Sequence, residues 1–191
     1  MSSLFVISGP SGSGKSTVCH RITALDENIR ISVSATTREP REGEVDGVDY
    51  FFISQEEFDE RVEKGEFLEH AGHFRHSYGT LKPHVDALIE QGYDVILEID
   101  TVGAMQIREK SEDALLVFIM PPSEEILEQR LRGRKSETDE QIALRLAKAK
   151  EEMDQRDMYD YVVVNDTVDE CAEEILELIR GKRCHERSLC I

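Results

Sequence analysis

The most specific chemistry in the chain lies in Gly9-Pro10-Ser11-Gly12-Ser13-Gly14-Lys15-Ser16-Thr17, which fits the pattern G-x-x-x-x-G-K-[ST] at every fixed position. Its glycines let a loop curl so that successive backbone N–H groups point at one anion, and a helix N-terminus behind it adds positive potential. Lys15 can reach the outer phosphates of a nucleoside triphosphate, and the Ser16 hydroxyl is a hard oxygen ligand of the kind Mg²⁺ prefers. Such a loop needs a strand before it and a helix after it. Both patterns are present: Leu4-Phe5-Val6-Ile7 is a short apolar run, and Val18, Ile22 and Leu25 recur at helical spacing.

Further chemistry-bearing groups sit where runs of this kind end. Arg38 and Arg41 follow the apolar run Ile29 to Ser34, and strand ends in an open parallel sheet face the ligand crevice. Two guanidiniums there can each grip a phosphate bidentately, although two solvated arginines would show the same spacing. Glu69 and Thr80 come next. A carboxylate can accept both the N1–H and the N2 amino group of guanine, whereas adenine presents a lone pair at N1. Glu69 therefore reads either as a guanine acceptor or as a plain surface charge. Glu98-Ile99-Asp100 closes another apolar run in the manner of a Walker B element, whose aspartate helps hold Mg²⁺ directly or through water. Arg130, Arg132, Arg134, Lys135 and Arg145 gather late in the chain. Arginines on a closing flap can stabilise the charge of a phosphoryl group in transfer; for Arg130 and Arg132 a solvated helix end is the competing reading.

The elements that must position these groups follow from periodicity. Leu4 to Ser8, Ile29 to Ser34, Val95 to Ile99, Leu115 to Met120 and Tyr161 to Val164 read as buried strands. Helical patterns lie between them. Val85, Leu88 and Ile89 run up to Gly92, and Leu127 and Leu131 follow Pro121-Pro122-Ser123. Ile142, Leu146, Ala149 and Met153 follow a Thr138/Gln141 capping box, and Val168, Ala172, Ile175, Leu176 and Ile179 make a last helix. Alternation of this kind predicts an α/β three-layer fold with a five-stranded parallel sheet. Residues 35–84 break it with a small β-rich insertion, in which Tyr50 to Ile53 and Phe67 to His70 read as strands and Ser54/Glu57 as a capping box. The expected division is a core of 1–34, 85–129 and 147–182, an insertion of 35–84, an arginine-rich lid of 130–146 and a loose tail of 183–191.

Composition narrows the partners. Forty acidic against 23 basic residues give a formal net charge of −17, which argues against nucleic acid or an anionic membrane. The N-terminus has no basic n-region, and its apolar run is too short for a signal sequence or a membrane span, so a cytoplasmic place is expected. Cys19, Cys171, Cys184 and Cys190 are scattered and read as reduced thiols. His70, His73, His76 and His84 cluster without matching a zinc pattern.

Taken together, GPSGSGKST, SATTREPREGE with DGVDYFF, FLEHAG, YGT, LEID with GAMQIRE, PPS, RLRGR, RLAKAKEEM and YDYVVVND resemble the guanylate kinases over about residues 4 to 180. That resemblance implies transfer of a phosphoryl group from ATP to GMP or dGMP, with Mg²⁺, in purine nucleotide metabolism. Carried over position by position, it makes Gly9 to Thr17 the ATP phosphate site and puts Asn165 beside the adenine. It makes Arg38, Arg41, Tyr50 and Tyr78 binders of the GMP phosphate, and Ser34, Glu69, Thr80 and Asp100 the guanine-side contacts. Glu98 would neighbour the metal–nucleotide region, with Ser16 and Asp100 (through water) at the metal. Lys15, Arg41, Arg134 and Arg145 would be the catalytic cations. The chain departs from the usual pattern at His76-Ser77, Leu81, Thr101-Val102 and Lys135, none of which carries an assigned role. A sugar-bisphosphate kinase on the same fold would have no use for Glu69 and Thr80. A kinase-like scaffold module would not need Lys15, Ser16, Arg134 and Arg145, and a nucleotide switch would not need the acceptor arginines.

Overall fold

The computed structural model describes residues 3–73, 76–111, 113–133 and 138–188. In chain order its elements are β1 (Leu4–Ser8), α1 (Lys15–Leu25), β2 (Ile29–Ile31), β3 (Ser34–Thr36), β4 (Phe51–Phe52), α2 (Gln55–Glu63), β5 (Phe67–His73), β6 (His76–Leu81), α3 (Lys82–Glu90), β7 (Asp94–Glu98), α4 (Thr101–Lys110), β8 (Leu115–Met120), α5 (Glu124–Arg132), α6 (Asp139–Met153), a 3₁₀ turn (Arg156–Met158), β9 (Tyr161–Val164) and α7 (Val168–Ser188).

Strands β2, β7, β1, β8 and β9 lie in that order in one parallel sheet. Strands β7, β1 and β8 alternate their side chains between two cores, whereas the edge strand β9, expected to be buried, keeps only Val163 inside and exposes Tyr161, Val162 and Val164. Phe5, Ile7, Ile96, Val117 and Ile119 point into the core made with α1 and α7, where Val18, Ile22, Ile175 and Ile179 are buried. Val6, Val95, Leu97, Leu116 and Phe118 point the other way, onto Val85, Ile107, Leu127, Ile142 and their neighbours from α3 to α6. Such runs are apolar on both faces because both faces are covered, and each fully buried side chain contributes roughly 1.5–3 kcal/mol. The expected α/β architecture is therefore present, with β1 at the centre of the sheet.

Residues within 35–84 carry most of a second, four-stranded sheet in the order β4-β3-β6-β5. Its own small core holds Ala35, Phe58, Phe67 and Leu81. Ser54 caps α2 by accepting the Glu57 amide, as its spacing predicts, and Ile53 packs into the same core as Phe58. The capping box of Thr138 and Gln141 opens α6.

Three expectations are corrected. The run Ile29 to Ser34 is not one strand: β2 stops at Ile31, and Ser34 already belongs to β3 of the second sheet. A crossing of two residues, Ser32 and Val33, separates two pairings that look continuous when only hydropathy is read. Helix α4, unseen in the periodicity, starts at Asp100, whose carboxylate accepts the Gly103 amide at 2.9 Å. Its buried face is made largely of Thr101, Gly103 and Ala104, so no apolar stripe announces it. Finally, the tail expected to be loose from residue 183 continues α7 as far as Ser188. Arg183 is the reason: its guanidinium ion-pairs with Asp26 at 2.9 Å and also with Asp94, two carboxylates with side chains only 9% and 7% exposed.

Removing that arginine leaves the buried carboxylate of Asp94 and the partly buried one of Asp26 without their cation, a loss of about 3 kcal/mol. Arg183→Ala should therefore lower the melting temperature at neutral pH by about 10 °C, measured by thermal unfolding. Burial opposes the ionisation of Asp26, but hydrogen bonds from Asn28 and Arg183 outweigh it and hold its pKa below 3.8. The stabilisation is thus present above that value and is lost as pH falls through the folded-state pKa, so the gap between variant and parent should narrow in acid.

Candidate functional site

The phosphate loop links the end of β1 to the start of α1. Gly9 (φ +144°) sits so close to β8 that a Cβ would stand 2.3 Å from the Ile119 carbonyl oxygen. At Gly14 (φ +92°) a Cβ would stand 2.4 Å from the Asn165 side-chain nitrogen. Only glycine meets both demands, of conformation and of space. Asn165 is 2% exposed and donates from its amide to the Ser13 carbonyl at 2.7 Å. It therefore braces the loop from behind. Arg130 joins that brace, with donors to Ser13 O at 3.3 Å and Asn165 O at 2.9 Å. The solvated reading of Arg130 is thereby overturned. It holds for Arg132, which is exposed and pairs with Glu128 and Asp139. Pro10 is buried, while Thr17 is exposed on the first turn of α1.

Lys15 folds over the loop and donates to Gly9 O at 2.6 Å and Pro10 O at 3.1 Å. Burial pulls its pKa down, against the pull of Glu98 and Glu152. The Ser16 hydroxyl donates to Glu98 Oε1 at 2.5 Å. Glu98, rather than Asp100, is thus the carboxylate bonded to Ser16; one oxygen of Asp100 is spent on capping α4.

Two cavities meet at this loop. The smaller, about 340 Å³, lies against the second sheet and is lined by Ser34, Arg41, Tyr50, Glu69, Tyr78 and Glu98 among others. The larger, about 1080 Å³, runs along α6 past Gly9, Thr138, Leu144, Lys148 and Glu152. Ser11, Lys15, Asp100 and Arg145 line both. The rings of Tyr50 and Tyr78 meet edge to face at 6.1 Å on the wall of the smaller one.

Arg38 does not line the smaller cavity. Its two terminal nitrogens form a fork onto the carboxylate of Glu44, both at 2.9 Å, and its guanidinium lies 5.4 Å from the Tyr50 ring centre. Glu44 also accepts the Arg41 amide at 2.7 Å. The Arg38 hydrogen bond, then that amide, hold the Glu44 pKa down at about 2. Gly43 (φ +89°) turns the chain back, so Glu44 reaches an arginine six residues earlier. In this structure Arg38 is also a strut under the arm that carries Arg41, through its fork onto Glu44.

Glu69 is at the deep end of the smaller cavity, 4% exposed, opposite Thr80 in the β5–β6 ladder. Its carboxylate accepts the Thr80 hydroxyl at 2.7 Å. Ser34 is the partner of Thr80 on the other side, in β3. Burial raises the Glu69 pKa to about 7, with Thr80 opposing and Asp100 adding to the rise. Gly103 of α4 makes room for it, since a Cβ there would lie 2.4 Å from Oε2. Neither Gly103 nor Glu152 stood out in the sequence; the glycine after an acidic N-cap was the available signal for the first.

Arg134 lies outside the described residues. Arg145 donates to the Ser11 hydroxyl at 3.4 Å. The histidines do not form a metal site among the described residues. His84 packs edge-on against Phe51, and His70 sits beside Phe58 and Phe67.

The two cavities thus share a wall that carries Lys15 and Arg145 beside Asp100. The guanylate kinase family model matches residues 1–182. The chain is 46% identical to a guanylate kinase of Clostridium perfringens over 181 residues, 95% of this chain and 84% of that one. It is 47% identical to one of Clostridioides difficile over 180 residues, 94% and 88% of the two chains. The crystal structure of guanylate kinase from Anaplasma phagocytophilum superposes with a TM-score of 0.77 at 35% identity, covering 95% of this chain and 86% of that one.

Glu69 places a pH dependence in the stability of the fold. Its pKa, 4.5 in an ordinary carboxylate, is about 7 when folded, so the folded chain keeps a proton that the unfolded chain gives up. Its contribution to stability is intact in acid and falls as pH rises through about 7. Glu69→Gln, which cannot ionise, should melt with the parent near pH 4, below the ordinary carboxylate value, and roughly 5 °C above it at pH 8.

Proposed function

The chain belongs to the guanylate kinase family, and on that footing we propose that it transfers the terminal phosphoryl group of ATP to GMP, giving ADP and GDP. The observation that carries the proposal at the level of residues is the pair of cavities sharing Lys15 and Arg145, with Glu69 and Thr80 closing the far end of the smaller. ATP lies in the larger cavity with its phosphates on the amides of the Gly9 to Thr17 loop. GMP lies in the smaller. Arg41, Tyr50 and Tyr78 hold its phosphate, on an arm that Arg38 and Glu44 keep in shape. Ionised Glu69 accepts from guanine N1–H and the N2 amino group, with Ser34, Thr80 and Asp100 beside it. The same contacts admit dGMP.

An oxygen of the GMP phosphate attacks the terminal phosphorus in line, and the bond to the bridging oxygen of ADP breaks. No general base is needed, because the attacking oxygen is already an anion. Lys15, Arg145 and Arg134 meet the negative charge that spreads over the moving group. Closing the lid over both nucleotides keeps water from competing for it. The oxygen donors of Ser16 and Glu98, with Asp100 near them, fit Mg²⁺, which as a hard cation neutralises charge on the ATP phosphates. Among the described residues no helix is long and apolar enough to cross a membrane. The cytoplasm, where both nucleotides are found, is the proposed place of action.

The test is ADP release from ATP and Mg²⁺ with GMP, dGMP, AMP, UMP, CMP or ribose 1,5-bisphosphate as acceptor. GMP should lead, dGMP should follow, and AMP should fall behind by on the order of a thousandfold in kcat/KM. Turnover of the sugar bisphosphate, or of no acceptor, would overturn the reading. Lys15→Ala should cut kcat at least about a thousandfold with an unchanged circular dichroism spectrum. The KM for GMP should rise as pH falls from 8 to 6, because Glu69 takes up a proton near pH 7. In Glu69→Gln it should be high throughout, with the KM for ATP unmoved.

A further inference from the structure

Two side chains of α6 converge on one residue of the phosphate loop. Arg145 donates to the Ser11 hydroxyl at 3.4 Å, and the Ser11 amide donates to Glu152 Oε2 at 3.3 Å. Seven residues make about two helical turns, so the two share a face of α6. Glu152 is 7% exposed and lines the larger cavity together with Ser11, Lys15 and Arg145. Its other oxygen stands 3.7 Å from the Lys148 ammonium. Burial raises its pKa, while Lys148 and Lys15 lower it.

A buried carboxylate is an odd lining for a cavity that takes polyphosphate, since it repels the ligand and is costly to desolvate. It makes no sense there as a phosphate contact. It does make sense as the acceptor that fixes the part-buried Ser11 N–H at the leading end of the loop.

We propose that Glu152 is a positioning residue for the donor phosphates: it ties the Ser11 end of the phosphate loop to α6, so that Arg145 and Lys15 stand together on the wall between the two cavities. This rests on the ATP-dependent reading above. The role belongs to the reach of the side chain as an acceptor, and its negative charge is incidental. Two conservative variants separate these properties. Glu152→Asp keeps the charge and draws it back by one methylene. Glu152→Gln keeps the reach and drops the charge.

The measurement is calorimetric titration of each variant with the non-hydrolysable ATP analogue adenylyl imidodiphosphate and Mg²⁺, and separately with GMP. Glu152→Asp should weaken the analogue about tenfold, Glu152→Gln should stay within about twofold of the parent, and GMP affinity should be unchanged in both. Equal losses in the two variants, an equal loss for GMP, or no loss in Glu152→Asp would overturn the proposal. Because the analogue is bound without turnover, a parent that binds it yet fails to phosphorylate GMP would sink the proposed reaction alone. A parent that does not bind it sinks both.

Discussion

A loop that aims its amides at an anion must find partners for its carbonyls on the other side. Here that constraint organises the molecule. Ser13 O is met by Asn165 and Arg130, and Gly9 O and Pro10 O are met by Lys15. Ile119 of β8 presses on Gly9, and Asn165, which follows β9, presses on Gly14. The loop owes its shape less to its own sequence than to what three other parts of the chain press against it. Glycine is required where that pressure leaves no space for a Cβ.

The acceptor side spends stability on recognition. A carboxylate buried beside Thr80, with a half-ionised equilibrium near neutrality, is a poor choice for packing and a good one for reading two adjacent donors. The second sheet makes the burial tolerable by pairing Ser34, Thr80 and Glu69 across three neighbouring strands. Arg38 and Glu44 show a different device. Their fork cancels charge within the arm and fixes its course, leaving Arg41 on the cavity wall.

Much of this was legible in the chain. The five strands of the parallel sheet, the capped starts of α2 and α6 and the loop motif all announce themselves by period or by fixed spacing. What stayed hidden depends on distance in space. Hydropathy does not register a change of sheet, so Ile31 and Ser34 looked like one strand. Helix α4 has a buried face of small residues and hence no stripe. The bracing role of Asn165, the pairing of Ser16 with Glu98 and the contact of Glu152 with Ser11 each join residues more than eighty positions apart. No local pattern encodes such pairs. The Arg183 anchor is of the same kind, since its two carboxylates come from before β2 and from the start of β7.

The place of β1 in the sheet has a consequence for how the molecule is made. Its partners are Val95 to Glu98 on one side and Leu115 to Phe118 on the other. This strand is therefore made well before either neighbour, and it has neither of them until about a hundred more residues have left the ribosome. The phosphate loop waits longer still, for Asn165 to arrive behind Ser13. Contacts of such long range tie folding speed to loop closure and not to local propensity. During translation the apolar segment Leu4 to Ile7 is a strand without a sheet, exposed for as long as its partners are missing. The motif that appears first in the sequence is thus among the last pieces of the structure to be completed.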